Sequence, residues 1–248
     1  MPLNISGSVV NSDIVKSFSY KNVITRGLLV HLDAGVPESY PGSGTVWSDL
    51  SGNSNHFNIV AAAYNSSGVQ YMDFNGSYGM AKTATDISLS NNVTYIVWTR
   101  IKNSTVEWRT LTRGYASDHH VIIQSGGWEI GYYDNATNFL GSGYSQQSLP
   151  NYGTSNWICL YFRFSTSSPY FTISYNDTPG TIRGSITNAN SGYTNGFGSI
   201  GGYHAASTSP SVGDQFWGDI STFMTYNRVL SDSELLQVYN VQKARYGL

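Results

Sequence analysis

Short apolar runs recur along the chain between clusters of Gly, Asn, Ser and Pro. Their spacing predicts strands near residues 27–33, 57–63, 69–74, 92–101, 120–124, 128–133, 157–164, 170–175, 197–201 and 217–226. Punctuation this regular belongs to a β-sandwich. In the run from Asn92 to Ile101, side chains alternate between faces, so Val93, Tyr95, Val97 and Ile101 share one side and Thr94, Ile96, Trp98 and Arg100 the other. Both sides carry apolar groups, which predicts a central strand covered on each face. Trp157 to Phe164 has the same character: Ile158, Leu160, Phe162 and Phe164 lie opposite Trp157, Cys159, Tyr161 and Arg163. Phe171, Ile173 and Tyr175 then align on a following strand.

One helix is supported. Ser231 precedes Glu234 by the spacing of a capping box, and Leu235, Val238, Tyr239 and Gln242 follow along one side. Residues 1–26 have no sustained apolar period and read as an extended N-terminal arm, with a single domain over 27–248. The arm carries Ile5, Val9, Val10, Ile14, Val15 and Phe18 among polar residues. An extended segment of that kind can add a strand to a neighbour's sheet edge, so the arm is expected to bind another protein. The opposing expectation is that it completes this domain's own sheet or stays a loose terminus.

Composition narrows the function classes. Charged residues are 11% of the chain and aromatics 14%, with hydrophobic residues at 40% and a net charge of −2, a globular rather than a disordered balance. No Lys/Arg stripe is present to attract phosphate backbones, so no nucleic-acid partner is expected. The lone Cys159 excludes an intramolecular disulfide and is expected as a small core residue. No apolar run approaches the ~18 residues of a membrane span, and the N-terminus lacks a basic segment followed by an apolar stretch. The expectation is a soluble chain without classical secretion and without a membrane partner.

Two segments carry a resemblance: Gly27 to Asn58, GLLVHLDAGVPESYPGSGTVWSDLSGNSNHFN, and Trp217 to Leu248, WGDISTFMTYNRVLSDSELLQVYNVQKARYGL. They resemble the laminin-G-like, concanavalin-A-like lectin/glucanase domains common in bacteriophage structural proteins. Tyr226, Asn227, Arg228 and Leu230 match the family's turn after its closing strand, and Tyr71 to Gly76 is a degenerate form of its Phe-Asp-Gly hairpin. The resemblance implies an all-β fold, a two-sheet antiparallel concanavalin-A-like jelly-roll sandwich with a short C-terminal helix. It also implies a non-catalytic virion structural protein at the virion surface, as a head decoration or tail-fibre component, docked on other virion proteins through the arm and able to bind glycan. A free carbohydrate-binding lectin is the alternative, and a glycoside hydrolase comes third.

Glucanases on this fold place their carboxylates in a Glu-x-Asp-x-x-Glu strand, which is absent here, and the 15 carboxylates are scattered. No catalytic residue is assigned, and the chain is not expected to be an enzyme. The candidate ligand-binding set is Trp128, Tyr132, Tyr133, Asp134 and Asn135, since aromatic faces stack on sugars while Asn and Asp bond hydroxyls. Against it, Trp128 and Tyr132 share strand parity and would fill core, leaving Tyr133 outside. Tyr203 and His204 are a second loop candidate. Asp118, His119 and His120 cluster in sequence, but adjacent strand residues point to opposite faces, so they are read as a solvated turn or strand end and no metal ligand is assigned. No cofactor is expected beyond the structural calcium found in many relatives. Asp33, Asp49, Asn53 and Asn55 could supply its oxygens, or could equally cap turns. Relatives often carry an acid where Ser221 follows Ile220, which counts against calcium here.

Overall fold

The nine residues Val93–Ile101 form a strand buried along both faces, as the doubly apolar pattern requires, and the rest of the architecture is layered around it. The computed structural model describes residues 22–76, 79–102, 108–114, 118–134, 138–188, 196–202 and 215–248. Strands are numbered along the chain. The first sheet runs in the order β14 (Gly184–Ile186), β13 (Phe171–Tyr175), β12 (Ile158–Phe164), β7 (Val93–Ile101), β16 (Trp217–Tyr226), β5 (Tyr71–Asn75) and β4 (Ala63–Asn65), with β1 (Leu28–Asp33) also paired to β16. The second runs β11 (Asn138–Ser145), β10 (Glu129–Asp134), β9 (His119–Ile123), β8 (Arg109–Arg113), β15 (Gly196–Ile200), β6 (Met80–Ser88), β3 (Phe57–Val60) and β2 (Val46–Trp47). Neighbouring strands pair antiparallel throughout both sheets, for example Phe162 opposite Tyr95 and Phe223 opposite Val97. The fold is an all-β, two-sheet antiparallel sandwich with a short C-terminal helix.

The inner faces meet in one apolar core. Val97, Leu160, Ile173 and Phe223 from the first sheet lie against Phe57, Val121, Ile130, Tyr132 and Phe197 from the second. Tyr95 is central, with its ring edge-on to Phe164 and Phe197 at centroid distances of 6.1 and 5.5 Å.

The outer face of the first sheet is apolar too, and α1 (Asp232–Gln242) covers it. Ser231 accepts from the Glu234 amide while Glu234 reaches back to the Ser231 amide, the expected capping box. Leu235, Val238 and Tyr239 are buried against Ile96, Trp98, Tyr161 and Met224. The Trp98 ring lies 3.8 Å from that of Tyr246 and nearly parallel to it, and its indole N–H donates to Gln242 at 2.7 Å. Cys159 is buried in this layer, where desolvation raises its thiol pKa. Among the described residues, no helix is long and apolar enough to cross a membrane.

The strands predicted from apolar alternation are present, several one or two residues shorter than read, except that the run 57–63 breaks after Val60, with β3 in the second sheet and Ala63 opening β4 in the first. The longer strands not anticipated are β6, β8 and β11, whose sequences MAKTATDIS, RTLTR and NFLGSGYS hold their faces with Thr, Arg, Gly and Ser. Most of the expected arm lies outside the described residues, since residues 1–21 do. Of its last residues, Val23 is buried with the α1 layer and Arg26 accepts from Arg228 Nε at 2.9 Å.

Candidate functional site

The β9–β10–β11 ribbon positions the candidate aromatic residues. Tyr132 points into the core, is 1% exposed and donates its hydroxyl to Asp118 at 3.0 Å. Alternation then puts Tyr133 on the outer face of the second sheet, opposite His119 on β9 and Phe139 on β11. The Tyr133 ring meets Trp108 edge-on at 5.6 Å and His119 edge-on at 5.7 Å, and Trp108 meets Phe139 at 5.4 Å. Trp108, Tyr133 and Phe139 are each partly exposed, whereas His119 is buried beneath them with its Nδ1 2.8 Å from Thr110 Oγ1. Gly131 makes this possible: a Cβ there would strike the Phe139 ring and the Leu140 carbonyl. Further along the same ribbon, the Glu129 carboxylate lies over Gly141 and accepts from the Gly143 amide.

The predicted set is therefore divided. Tyr132 is core, and Tyr133 is on the surface. Trp128 precedes β10 in a left-handed conformation, φ 51°, so it does not share the parity of Tyr132, although its side chain does pack against the core. Asp134 closes β10 with its main chain opposite Asn138. Asn135 and the loop pair Tyr203 and His204 lie outside the described residues. Trp108 and Phe139 escaped the sequence reading because β8, which Trp108 precedes, and β11, which carries Phe139, did not read as strands. The available signal was that Tyr133 and Phe139 stand two residues either side of the polar Asn-Ala-Thr sequence flanked by Asp134 and Asn138.

The Asp118, His119 and His120 cluster is not solvated, contrary to expectation: the three residues are 3%, 2% and 0% exposed. The alternation was read correctly, because His119 faces outward to Thr110 while His120 faces the core with its Nδ1 2.8 Å from the Tyr95 hydroxyl. What buries them is that β9 lies between β8 and β10, with hydroxyl partners supplied from elsewhere in the sequence.

The calcium candidates separate into two places. Asp33 is fully buried, and both its oxygens accept from Arg245 Nη1, at 2.6 and 2.7 Å. Asp49 accepts from the amides of His31, Ser51 and Asn55. Asn53 and Asn55 turn their amide nitrogens to the Leu28 and Leu29 carbonyls. These are the contacts of turn chemistry, which commits the oxygens or aims NH2 groups inward. Among the described residues, no group of three or more His, Cys, Asp or Glu is placed to hold a metal ion.

Four further carboxylates are ties as well. Asp219 bonds Arg100 at 2.6 Å and Lys102 at 3.1 Å, and Asp73 bonds Lys102 at 2.6 Å. Asp232 holds Arg163 at 2.7 Å, and the forked pair of Glu234 with Arg228 draws the Glu234 carboxyl down to about 2. Burial lowers the His31 pKa, favouring the neutral ring.

No family model and no curated protein matches the sequence. Solved structures do match the fold. The chain is similar to a Trypanosoma rangeli sialidase in complex with sialic acid, with TM-score 0.58 and 14% identity over 88% of this chain and 33% of that one. It is similar to domain 4 of AbnA, a GH43 extracellular arabinanase from Geobacillus stearothermophilus, in complex with arabinotriose, with TM-score 0.57 and 18% identity over 86% of this chain and 98% of that one. It is also similar to the receptor binding domain of a botulinum neurotoxin C/D mosaic serotype, with TM-score 0.60 and 13% identity over 88% and 52%. The chain spans about a third of the sialidase and nearly all of the arabinanase domain. At these identities the likeness defines the class of the protein by fold, a β-sandwich.

Proposed function

We propose that this chain is a non-catalytic β-sandwich module that binds glycan and is displayed on a phage particle as a head decoration or tail-fibre component. The observation that carries the binding part is the group of partly exposed rings, Trp108, Tyr133 and Phe139, gathered on the outer face of the second sheet. Aromatic side chains offer apolar faces of fixed geometry, which suits the C–H faces of a sugar ring. The arabinanase domain, whose extent nearly equals that of this chain, is a sandwich solved with arabinotriose, and this supports the same reading. The absence of catalysis is supported by Asp33, Asp73, Asp219, Asp232 and Glu234, each engaged by a cation.

The virion setting rests on the resemblance of the two end segments to domains of phage structural proteins. The arabinanase comparison favours a second reading, a free lectin, and particle incorporation separates the two. Deleting residues 1–21 retains Val23, which is buried with the α1 layer. If the arm docks on a particle, that variant folds but no longer joins particles, and retained incorporation contradicts the docking. For the binding part, Tyr133→Ala is expected to lose glycan-array signal that the parent chain gives. Equal signals from the two proteins contradict the assignment to these rings.

A further inference from the structure

On the other side of the sandwich, below the C-terminal segment, a cavity of about 370 Å³ opens between the turn after β11 and the start of β12. Its walls include Asn151, Asn156, Asn176, Trp157 and Tyr246. Trp157 and Tyr246 belong to the layer that α1 covers, so the cavity is separate from the Tyr133 surface. None of the residues that line it carries a formal charge on its side chain at neutral pH, and burial raises the Tyr246 phenol pKa further.

The three amides are set in different ways. Asn151 is 2% exposed, and its Nδ2 donates to the Thr99 carbonyl at 3.3 Å and the Asn156 carbonyl at 3.2 Å. Both partners are acceptors, which fixes the orientation of the amide and leaves Oδ1 as a buried acceptor without a partner. Asn176 is fixed the opposite way. Its Oδ1 accepts from the Cys159 amide at 3.0 Å and its main-chain carbonyl from the Tyr161 hydroxyl at 2.7 Å, so Nδ2 is the end left to donate. The Asn156 side chain is exposed at the rim and offers both kinds of group. Trp157 is held between Arg100, whose guanidinium lies 4.6 Å from the ring, and Tyr246, whose ring centroid is 5.4 Å away. A buried lone acceptor calls for a donor, and a donor and acceptor of amide type beside aromatic carbon match the alternating hydroxyls and C–H groups of a sugar.

We infer that this cavity is a second binding site, taking one or two residues of a neutral saccharide with a hydroxyl donated to Asn151 Oδ1. An occupying water would satisfy the same oxygen, so the test has to distinguish the two.

The test is a titration of the isotopically labelled full chain, followed by NMR, with arabinotriose, maltotriose and mannotriose as neutral probes and 3′-sialyllactose as a charged one. At millimolar concentration at least one neutral probe is expected to shift the side-chain amide signals of Asn151 and Asn176 and the Trp157 indole. Ser155→Trp, at an exposed rim position, and Asn156→Ala should each weaken that binding at least about tenfold. Tyr133→Ala should leave it unchanged. Unchanged melting temperatures certify that the variants fold. Absence of shifts at these residues with every neutral probe means water only and overturns the proposal, as does tighter binding of the sialylated probe. Shifts confined to the surroundings of Tyr133 overturn this site while leaving the glycan-binding reading intact.

Discussion

Arg245 directs its Nη1 to both carboxylate oxygens of Asp33, at 2.6 and 2.7 Å, joining residues 212 positions apart. Its Nη2 donates to Ser221 at 2.8 Å, and the two ionic side chains are 6% and 0% exposed. Gly35 leaves room for the guanidinium, which a Cβ there would strike. The pair ties β1 to the chain after α1, while the Asn227 amide on the Gly27 carbonyl and Arg228 on the Arg26 carbonyl tie the residues before β1 to the turn between β16 and α1. The two end segments that resemble a known family are thus one structural joint.

Breaking that joint should be costly, because removing one partner leaves a buried charge uncompensated. Arg245→Met is expected to lower stability by about 3–5 kcal/mol. The double variant with Asp33→Leu should lose less than the single one. Urea unfolding checks this, with a shifted midpoint at unchanged m-value as the expected signature.

The α1 layer gives a second prediction. Leu235 is fully buried between the helix and the first sheet. Leu235→Ala should cost about 2–5 kcal/mol, and each kcal/mol should lower the melting temperature by about 2–4 °C in a domain of this size. An unchanged melting temperature contradicts the packing.

Stability should fall in acid in two steps. Burial depresses the His31 pKa below 6.5, so the unfolded chain takes up its proton more readily. The His31 contribution is therefore full above pH 6.5 and declines as pH drops below it. Glu234, drawn from 4.5 to about 2 by Arg228, contributes stability above pH 4.5 that is lost as pH falls toward 2. Melting temperatures against pH should show His31→Gln removing the upper step and Glu234→Gln the lower.

Tyr132 and Tyr133 are adjacent but should behave oppositely. Tyr132→Ala empties a core position and should cost about 3–5 kcal/mol, by analogy with other large aromatic deletions. Tyr133→Ala should cost much less stability and weaken glycan binding at least about tenfold. Parallel melting curves and binding isotherms read both effects.

The sandwich was legible where apolar alternation is strong, as at Val93–Ile101 and Ile158–Phe164, because burial on both faces demands it. It was not legible at Arg109–Arg113, whose polar residues are buried by neighbouring strands, or at Asn138–Ser145, a sheet-edge strand with one buried residue. The parity argument placed Tyr133 correctly but could not supply Trp108 and Phe139, which come from segments that do not read as strands. Asp118, His119 and His120 looked solvated because Tyr132, Thr110 and Tyr95, which receive them, are invisible from local pattern. Asn151, Asn156 and Asn176 carry no local pattern that singles them out, and tertiary folding brings them to one cavity.

The most direct test of a non-catalytic glycan-binding sandwich is to incubate the full chain with a panel of polysaccharides and measure bound protein and released reducing ends in the same samples. The account predicts retention on at least one polysaccharide with no increase in reducing ends. Binding to none of them, or reducing ends that accumulate with time and protein concentration, would contradict it.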